Sequence, residues 1–298
     1  MTSVAVIAHT GKSLGGGLGE LRRVLAAEGV DDLTWYEVPK SKKAPKCALE
    51  ALEGGADLII VWGGDGMVQR CIDALAGSQV RIGIVPAGTA NLLATNLEIP
   101  RDIERAVRIA LHGHVRKLDV GSLNGERFAV MAGAGWDALM IRDADGALKD
   151  RLGRVAYVWT GARHLREEQF RAVIKVDDKR WFEGMASCVL VGNIGRIFGG
   201  IQVFEGAKAD DGRLEVGVIT AKGPVQWGRA LARTAVGKAA KSPFVETTSA
   251  HKIRIKFDRA VRYELDGGAR DMLRRMRIDV EPGAIAVCVP EESAETAP

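Results

Sequence analysis

The chain has 298 residues, of which 47% are hydrophobic and 27% charged, and its formal net charge is +4. That is enough core-forming material for one large domain or two of ordinary size. The positive excess suits phosphate-bearing ligands or loose contact with an anionic membrane face, and is too small to argue for a nucleic-acid partner.

Taken in chain order, the N-terminus "MTSVAVIAHTGKS" carries no basic leader and only five apolar residues in succession, which is not a signal peptide. "SVAVIAH" reads as a strand, "GLGELRRVLAAEG" as a helix and "DLTWYEV" as a strand. "APKCALEALEGG" is helical, "DLIIVW" a strand, and "GMVQRCIDALAG" a helix with Met67, Cys71 and Leu75 on one face beside Val68 and Ile72. "VRIGIVP" and "RDIERAVRIALHG" add a strand and a helix. Strands alternating with helices predict a doubly wound, mostly parallel α/β domain over residues 1–120, with ligands at the carboxyl ends of the strands.

From about 121 to 298 the pattern changes to closely spaced strands of period two. Hairpins are expected at Asn124-Gly125 and at Asp177-Asp178-Lys179. "GRLEVGVIT", "HKIRIKF", "AVRYELDGG", "MRIDVEP" and "AIAVCVP" read as further strands, with helices near 152–167 and 223–239 and a frayed tail "EESAETAP". The expectation is an antiparallel β-sandwich whose extreme C-terminus returns to the first domain. No run approaches the ~20 apolar residues of a membrane span, so membrane contact would be peripheral. Cys47, Cys71, Cys188 and Cys288 lie far apart without metal-ligand spacing, and free thiols in a reducing cytosol are the simplest reading.

Two glycine-bearing strand ends carry the chemistry. In "GGDGM", Gly63, Gly64 and Gly66 bracket Asp65 between a buried strand and a helix start. Glycines there let backbone N–H groups approach phosphate oxygens, whereas a carboxylate needs a metal ion or a polarised hydroxyl in between. The plainer alternative is a tight turn with Asp65 as helix N-cap. In "VPAGTANLLATN", Gly88, Thr89 and Asn91 repeat the arrangement on the next strand. Two such edges on one side of a parallel sheet favour a nucleotide phosphate site. "AHTGKS" fails as a Walker A loop because Val6 stands where its first glycine belongs, though Gly11 and Gly15–Gly17 leave a phosphate flap or a mobile loop open. "GAGWDA" fits a dinucleotide fingerprint only as a pattern, since its surroundings read antiparallel. His112 and His114 read as solvent-facing, and the lysines of "PKSKKAPK", Lys40 among them, as a solvated face or a contact for ATP phosphates or an anionic bilayer.

In order along the chain, "GGDGM", "PAGTAN", "LDVG…FAVMAGAGWDA", "RLGRVAYVWTGA", "VGNIGRIFGGIQVFEGAKADDGRLEV" and "YELDGG" resemble the diacylglycerol kinase-like lipid kinases, the group of bacterial diacylglycerol kinases, YegS-type lipid kinases and sphingosine kinases. The resemblance implies an α/β nucleotide-binding domain followed by a β-sandwich, and ATP-dependent phosphorylation of a lipid hydroxyl at a membrane face, with a diacylglycerol-like acceptor. It implies that Gly63, Gly64, Asp65, Gly66 and Met67 organise magnesium-ATP and that Gly88, Thr89 and Asn91 line the nucleotide. Asp119 would approach the catalytic centre, and Asp211, with backbone oxygens near Lys208 and Arg213, would hold a structural magnesium ion, for which hard oxygen donors are suited. A hairpin turn explains Asp211-Gly212 equally well.

The departures from that family pattern are Met67 for threonine, Arg70 for glutamate, Leu92 for aspartate and Gly268 for the glutamate expected to deprotonate the lipid. Asp65, Asp266 and Asp271 are the candidates to take that proton. A general base contributes about 10²–10⁴-fold, so its loss slows phosphoryl transfer without necessarily silencing it. The competing reading is a weak or inactive nucleotide- or lipid-binding regulator. Nicotinamide-dependent redox chemistry and phosphorylation of NAD are minor alternatives. Trp136, Trp159, Ile197, Phe198 and Phe204 are core or the walls of an acyl cleft, and an exposed strand edge in the sandwich would permit a homodimer.

Overall fold

The computed structural model describes residues 2–30, 32–135, 169–197, 201–223, 226–227 and 242–291. The helices expected near 152–167 and 223–239 fall almost wholly outside them, as do Trp136, Trp159, Phe198, the Ile197 side chain and the tail after Glu291. The described chain divides into two compact units, Met1–Asp119 with Gly283–Pro298, and Val120–Pro282.

In the first unit, strands β1 (Val4–His9), β2 (Leu33–Val38), β3 (Leu58–Gly63) and β4 (Arg81–Pro86) are parallel, in the order β4-β3-β1-β2. Helices α1 (Gly17–Ala27), α2 (Ala44–Glu53), α3 (Asp65–Leu75), α4 (Leu92–Asn96) and α5 (Ile103–His112) connect or follow them. β3, "LIIVWG", is buried along its whole length, as a strand covered on both faces must be. The face expected for α3 is the buried one: Met67, Val68, Cys71, Ile72 and Leu75 all face inward. Asp102 caps α5 by accepting from the Arg105 N–H at 2.8 Å, and Ile103, Ala106, Val107 and Ala110 form its buried stripe. That stripe explains Gly83 in β4, where an added Cβ would lie 2.5 Å from the Ala110 Cβ.

The second unit begins within β5 (His114–Leu123) and continues through β6 (Glu126–Phe128), β7 (Met131–Ala134), β8 (Phe170–Val176), β9 (Lys179–Ala186) and β10 (Cys188–Gly192). The short pair β11 (Arg196–Ile197) and β12 (Ile201–Gln202), then β13 (Leu214–Ile219), β14 (Val245–Ala250), β15 (Lys252–Leu265) and β16 (Gly268–Val289), complete it. Both expected hairpins form. Asn124 and Gly125 have φ of 51° and 96°, and Asp177 and Asp178 have 46° and 65°, so each turn closes with two left-handed residues.

The segments read as four separate strands after residue 251 are two long ones of 14 and 22 residues. β15 pairs with β8 through Ile253–Phe257 and, past an irregularity between Lys256 and Val261, with β7 through Tyr263–Leu265. One strand thereby serves both layers of a sandwich, around a core that includes Ile174, Val191, Val216, Ile255, Phe257 and Ile278. The far end of β16 belongs to the first unit, where Ala286 and Val287 pair in parallel with Arg81 and Ile82 of β4. All four cysteines are free thiols.

Candidate active site

β3 and β4 end opposite one another, Gly63 beside Pro86, so the "GGDG" and "AGTAN" loops leave the sheet side by side. Their backbones are nearly in contact. A Cβ on Gly88 would lie 2.4 Å from the Gly64 Cα and 2.6 Å from the Asn91 Oδ1, so glycine at 88 is a steric requirement. The Ala87 N–H donates to the Gly63 carbonyl at 2.9 Å and continues the sheet bonding into the loops.

Asp65 does not cap its own helix; Gly64 occupies that position. Its carboxylate reaches across to the second loop, accepting from the Asn91 N–H at 2.9 Å through Oδ2 and from the Leu92 N–H through Oδ1. It is thus the anionic cap of α4, where the first N–H groups of a helix lack carbonyl partners. Asn91, buried and left-handed at φ 50°, is spent on the loop itself: its Oδ1 accepts from Gly88 N at 2.8 Å and its Nδ2 donates to Gly88 O at 2.9 Å. The Asn91 amide thus locks the loop that the resemblance expects to line the nucleotide.

Thr89 is exposed at the tip of the second loop and Gly66 is partly exposed at the start of α3. Met67, by contrast, is buried, and its N–H donates to Gly64 O at 2.8 Å. A Cβ on Gly63 would collide with its side chain at 2.6 Å, so Met67 packs the loop from behind. Lys40 is exposed two residues beyond the end of β2. His9 ends β1 at this same sheet edge and was not singled out by sequence, although the rule that sites lie at carboxyl ends points to it. Its Nδ1 accepts from Gly11 N at 3.1 Å; burial, then the Lys12 charge, holds its imidazole below the ordinary histidine value. The glycines at 15–17 shape the start of α1, where Glu20 accepts from Gly16 N at 2.6 Å.

Asp119 is buried in the first unit, and its Oδ1 accepts from Gly283 N at 2.8 Å. In the second unit Asp266, also buried, sits at φ 46° and accepts from three successive backbone N–H groups, Ala129 at 2.9 Å, Val130 at 2.9 Å and Met131 at 2.8 Å. With both oxygens so engaged, it is a clamp on the β6–β7 connection and a poor proton acceptor. At Gly268, where the resemblance leads to the expectation of a glutamate, an added Cβ would lie 2.7 Å from Arg270 Nη1, the far end of a flexible side chain that donates to Gly268 O at 3.0 Å. The same guanidinium holds Glu126 through Nε and Nη2. No sequence pattern announced this pair, because Glu126 and Arg270 are 144 residues apart.

At the acidic loop, Asp211 is exposed and its Oδ1 accepts from Arg213 N at 3.0 Å, while the Arg213 side chain is anchored on Ser249 at 2.9–3.0 Å. Lys208 is exposed on the approach to this turn. Burial, then the Asp211 charge, raises the Glu215 carboxyl above its usual range, against the opposing charge of Arg213. Among the described residues no three acidic, histidine or cysteine side chains converge on one point. What the loop shows is one exposed carboxylate, and any divalent ion held there would have to complete its oxygen shell from backbone and water.

The remaining sequence motifs resolve simply. Gly133 and Ala134 lie in β7, antiparallel to both neighbours, which removes the dinucleotide fingerprint; Trp136–Ala138 lie outside the described residues. Phe204 is core, and it fills the space over Gly192. His112 is exposed and meets Glu28 at 3.1 Å.

Residues 5–123 match the diacylglycerol kinase catalytic domain, and residues 130–289 match the YegS C-terminal NAD kinase beta sandwich-like domain. The chain is 28% identical to the diacylglycerol kinase of Bacillus subtilis strain 168 over 255 residues, 85% of this chain and 84% of that protein. It is likewise 28% identical to the diacylglycerol kinase of Staphylococcus saprophyticus over 236 residues, 78% of this chain and 77% of that one. A crystal structure of a diacylglycerol kinase from Bacillus anthracis superposes with a TM-score of 0.73 at 26% identity, covering 96% of each chain. An NAD kinase from Archaeoglobus fulgidus in complex with ATP shares the fold alone, with a TM-score of 0.52 at 11% identity, covering 97% of this chain and 94% of that one. With both domains matched in order, the chain belongs to the bacterial diacylglycerol kinase and YegS-type lipid kinase family.

Proposed function

We propose that the protein transfers the γ-phosphate of ATP to the hydroxyl of a diacylglycerol-like lipid at a membrane face. The observation that carries this is the pair of glycine loops at the carboxyl edge of β3 and β4, joined through the Asp65 carboxylate to the start of α4. Small backbone-lined loops at such an edge suit phosphate oxygens. Thr89 and the start of α3 at Gly66 face the phosphates, and Asp65, oriented by Asn91 N and Leu92 N, sets the position of the nucleotide's charge. Magnesium, when bound, would neutralise phosphate charge at Asp65 and brace the Asp211 turn.

Phosphoryl transfer depends chiefly on positioning and charge stabilisation, which is why the reading survives Gly268. Asp266 and Glu126 are engaged by backbone N–H groups and by Arg270, so neither takes the lipid proton in this arrangement. We assign that proton to Asp65, the carboxylate that stands between the two glycine loops. The second reading, a slow or silent nucleotide-binding regulator, draws on Gly268, which offers no carboxylate where the resemblance leads to the expectation of one.

The test is transfer of labelled γ-phosphate from magnesium-ATP into organic-extractable lipid, with wild type beside Asp65→Asn. Label that falls about 10²–10³-fold in the variant establishes the kinase, a loss typical of removing one charge-stabilising group. ATP binding without any label in the wild type establishes the regulator.

A further inference from the structure

The solvent face of β9, β8, β15 and β16 carries a cationic array that the kinase site does not use. Residues Ala172, Ile174, Ile253, Ile255, Met276 and Ile278 point into the core, so their neighbours in each strand point outward. Register then sets Arg180 opposite Lys175, Lys175 opposite Arg254, and Arg254 opposite Arg277, four cations in one row across four strands. The next row contains Glu183, Val173, Lys256 and Arg275.

Like charges directly opposite on a sheet destabilise it, so folding alone gives no reason for this row. Carboxylates answer only part of it: Asp279 holds Arg254 bidentately at 2.8 and 3.0 Å, and Glu183 holds Arg180 at 2.6 Å. Lys175, Lys256, Arg275 and Arg277 are exposed, and among the described residues none of them meets a carboxylate. Arg275 and Arg277 also line a groove of about 530 Å³ with Ser122, Asn124, Gly125 and Asp279. Its wall is held in shape because Asn124 donates to Arg275 O at 3.2 Å and accepts from Arg277 N at 3.1 Å.

We propose that this face docks on an anionic lipid bilayer, with the groove receiving a phosphate head group. An array spread over four strands, in which Lys175, Lys256, Arg275 and Arg277 keep their charge exposed, is complementary to a plane of lipid phosphates. A second copy related by a two-fold axis would bring the same charges together, which opposes self-association through this face. The choice of a bilayer as partner rests on the lipid-kinase reading, whereas the array itself does not.

The experiment is co-sedimentation with vesicles of phosphatidylcholine, with and without phosphatidylglycerol, in the absence of ATP. Wild type should bind only the anionic vesicles and release as salt rises. Each neutralised residue should weaken partitioning by about fivefold, so Arg275→Ala/Arg277→Ala and Lys175→Ala/Lys256→Ala should each lose about twenty-five-fold while melting like wild type. Their turnover on detergent-dispersed acceptor should match wild type and fall on vesicle acceptor. Vesicle binding by wild type with no lipid phosphorylation would leave the docking face standing and remove the kinase reading. Unchanged vesicle binding by both pairs overturns the proposal. So does loss confined to Lys42→Ala/Lys43→Ala in the first unit, or displacement of vesicles by equimolar duplex DNA.

Discussion

At Gly88 one added carbon would sit 2.4 Å from the Gly64 backbone and 2.6 Å from the Asn91 Oδ1 that locks the loop. Gly88→Ala should therefore push the two phosphate loops apart at a cost of about 1–3 kcal/mol, as over-packing does. Thermal unfolding should show the loss, and lipid phosphorylation should fall with it because Asp65 is aligned by the same contact. Asp65→Asn separates the two effects. The amide retains one acceptor for the α4 N–H groups, so stability should drop by only about 0.5–2 kcal/mol, the usual span for a lost cap, while turnover drops far more. Glycine and aspartate at these positions were legible from the strand-loop-helix pattern. That Asp65 serves the neighbouring helix was not, since its partners lie 26 and 27 residues away.

Among the elements, the β6–β7 connection depends on Asp266. The left-handed φ of 46° is tolerable to aspartate and asparagine alike, so Asp266→Asn tests the carboxylate and leaves the backbone conformation possible. It replaces an oxygen that accepts a backbone N–H by a donor, and urea unfolding should register a loss of about 1–3 kcal/mol. In β13, Glu215 is held with its carboxyl above the ordinary glutamate value, by burial and then by Asp211. A raised folded-state value makes the protonated form the better fit. The relative stability present at acid pH is lost as pH rises from the ordinary value of 4.5 through the raised one. Glu215→Gln should thus melt higher than wild type at pH 7–8 and show no advantage at acid pH. Because the group is about half exposed, solvent screening keeps the gain to roughly 0.5 kcal/mol.

At the scale of the whole molecule, ligands should report the two candidate ion positions separately. Anything that binds the folded form alone stabilises it, by about 2.7 kcal/mol when present at a hundred times its Kd. Magnesium-ATP should raise the melting temperature of wild type and of Asp211→Asn, but not that of Asp65→Asn. Magnesium without nucleotide should stabilise wild type and leave Asp211→Asn unmoved. Calorimetry on the three proteins checks both statements, and equal magnesium responses in wild type and Asp211→Asn would remove the ion from that loop. Among the described residues no helix is long and apolar enough to cross a membrane.

The sequence by itself determined the order of elements, the two hairpin turns and the glycine loops. These follow from hydrophobic period and backbone dihedral preference, which act over a few residues. The resemblance of its motifs to one kinase family placed Asp65, Asp211 and the missing glutamate at Gly268. Tertiary structure decided which polar groups face which. Asn91 turned inward to lock its own loop, Asp266 closed on backbone 135–137 residues earlier, and Arg270 occupied the space beside Gly268. It also joined four short apolar runs into two strands that span both layers, and set four cations in one row. Those outcomes depend on strand register and on contacts between residues far apart in the chain, and neither periodicity nor local propensity encodes register across such distances.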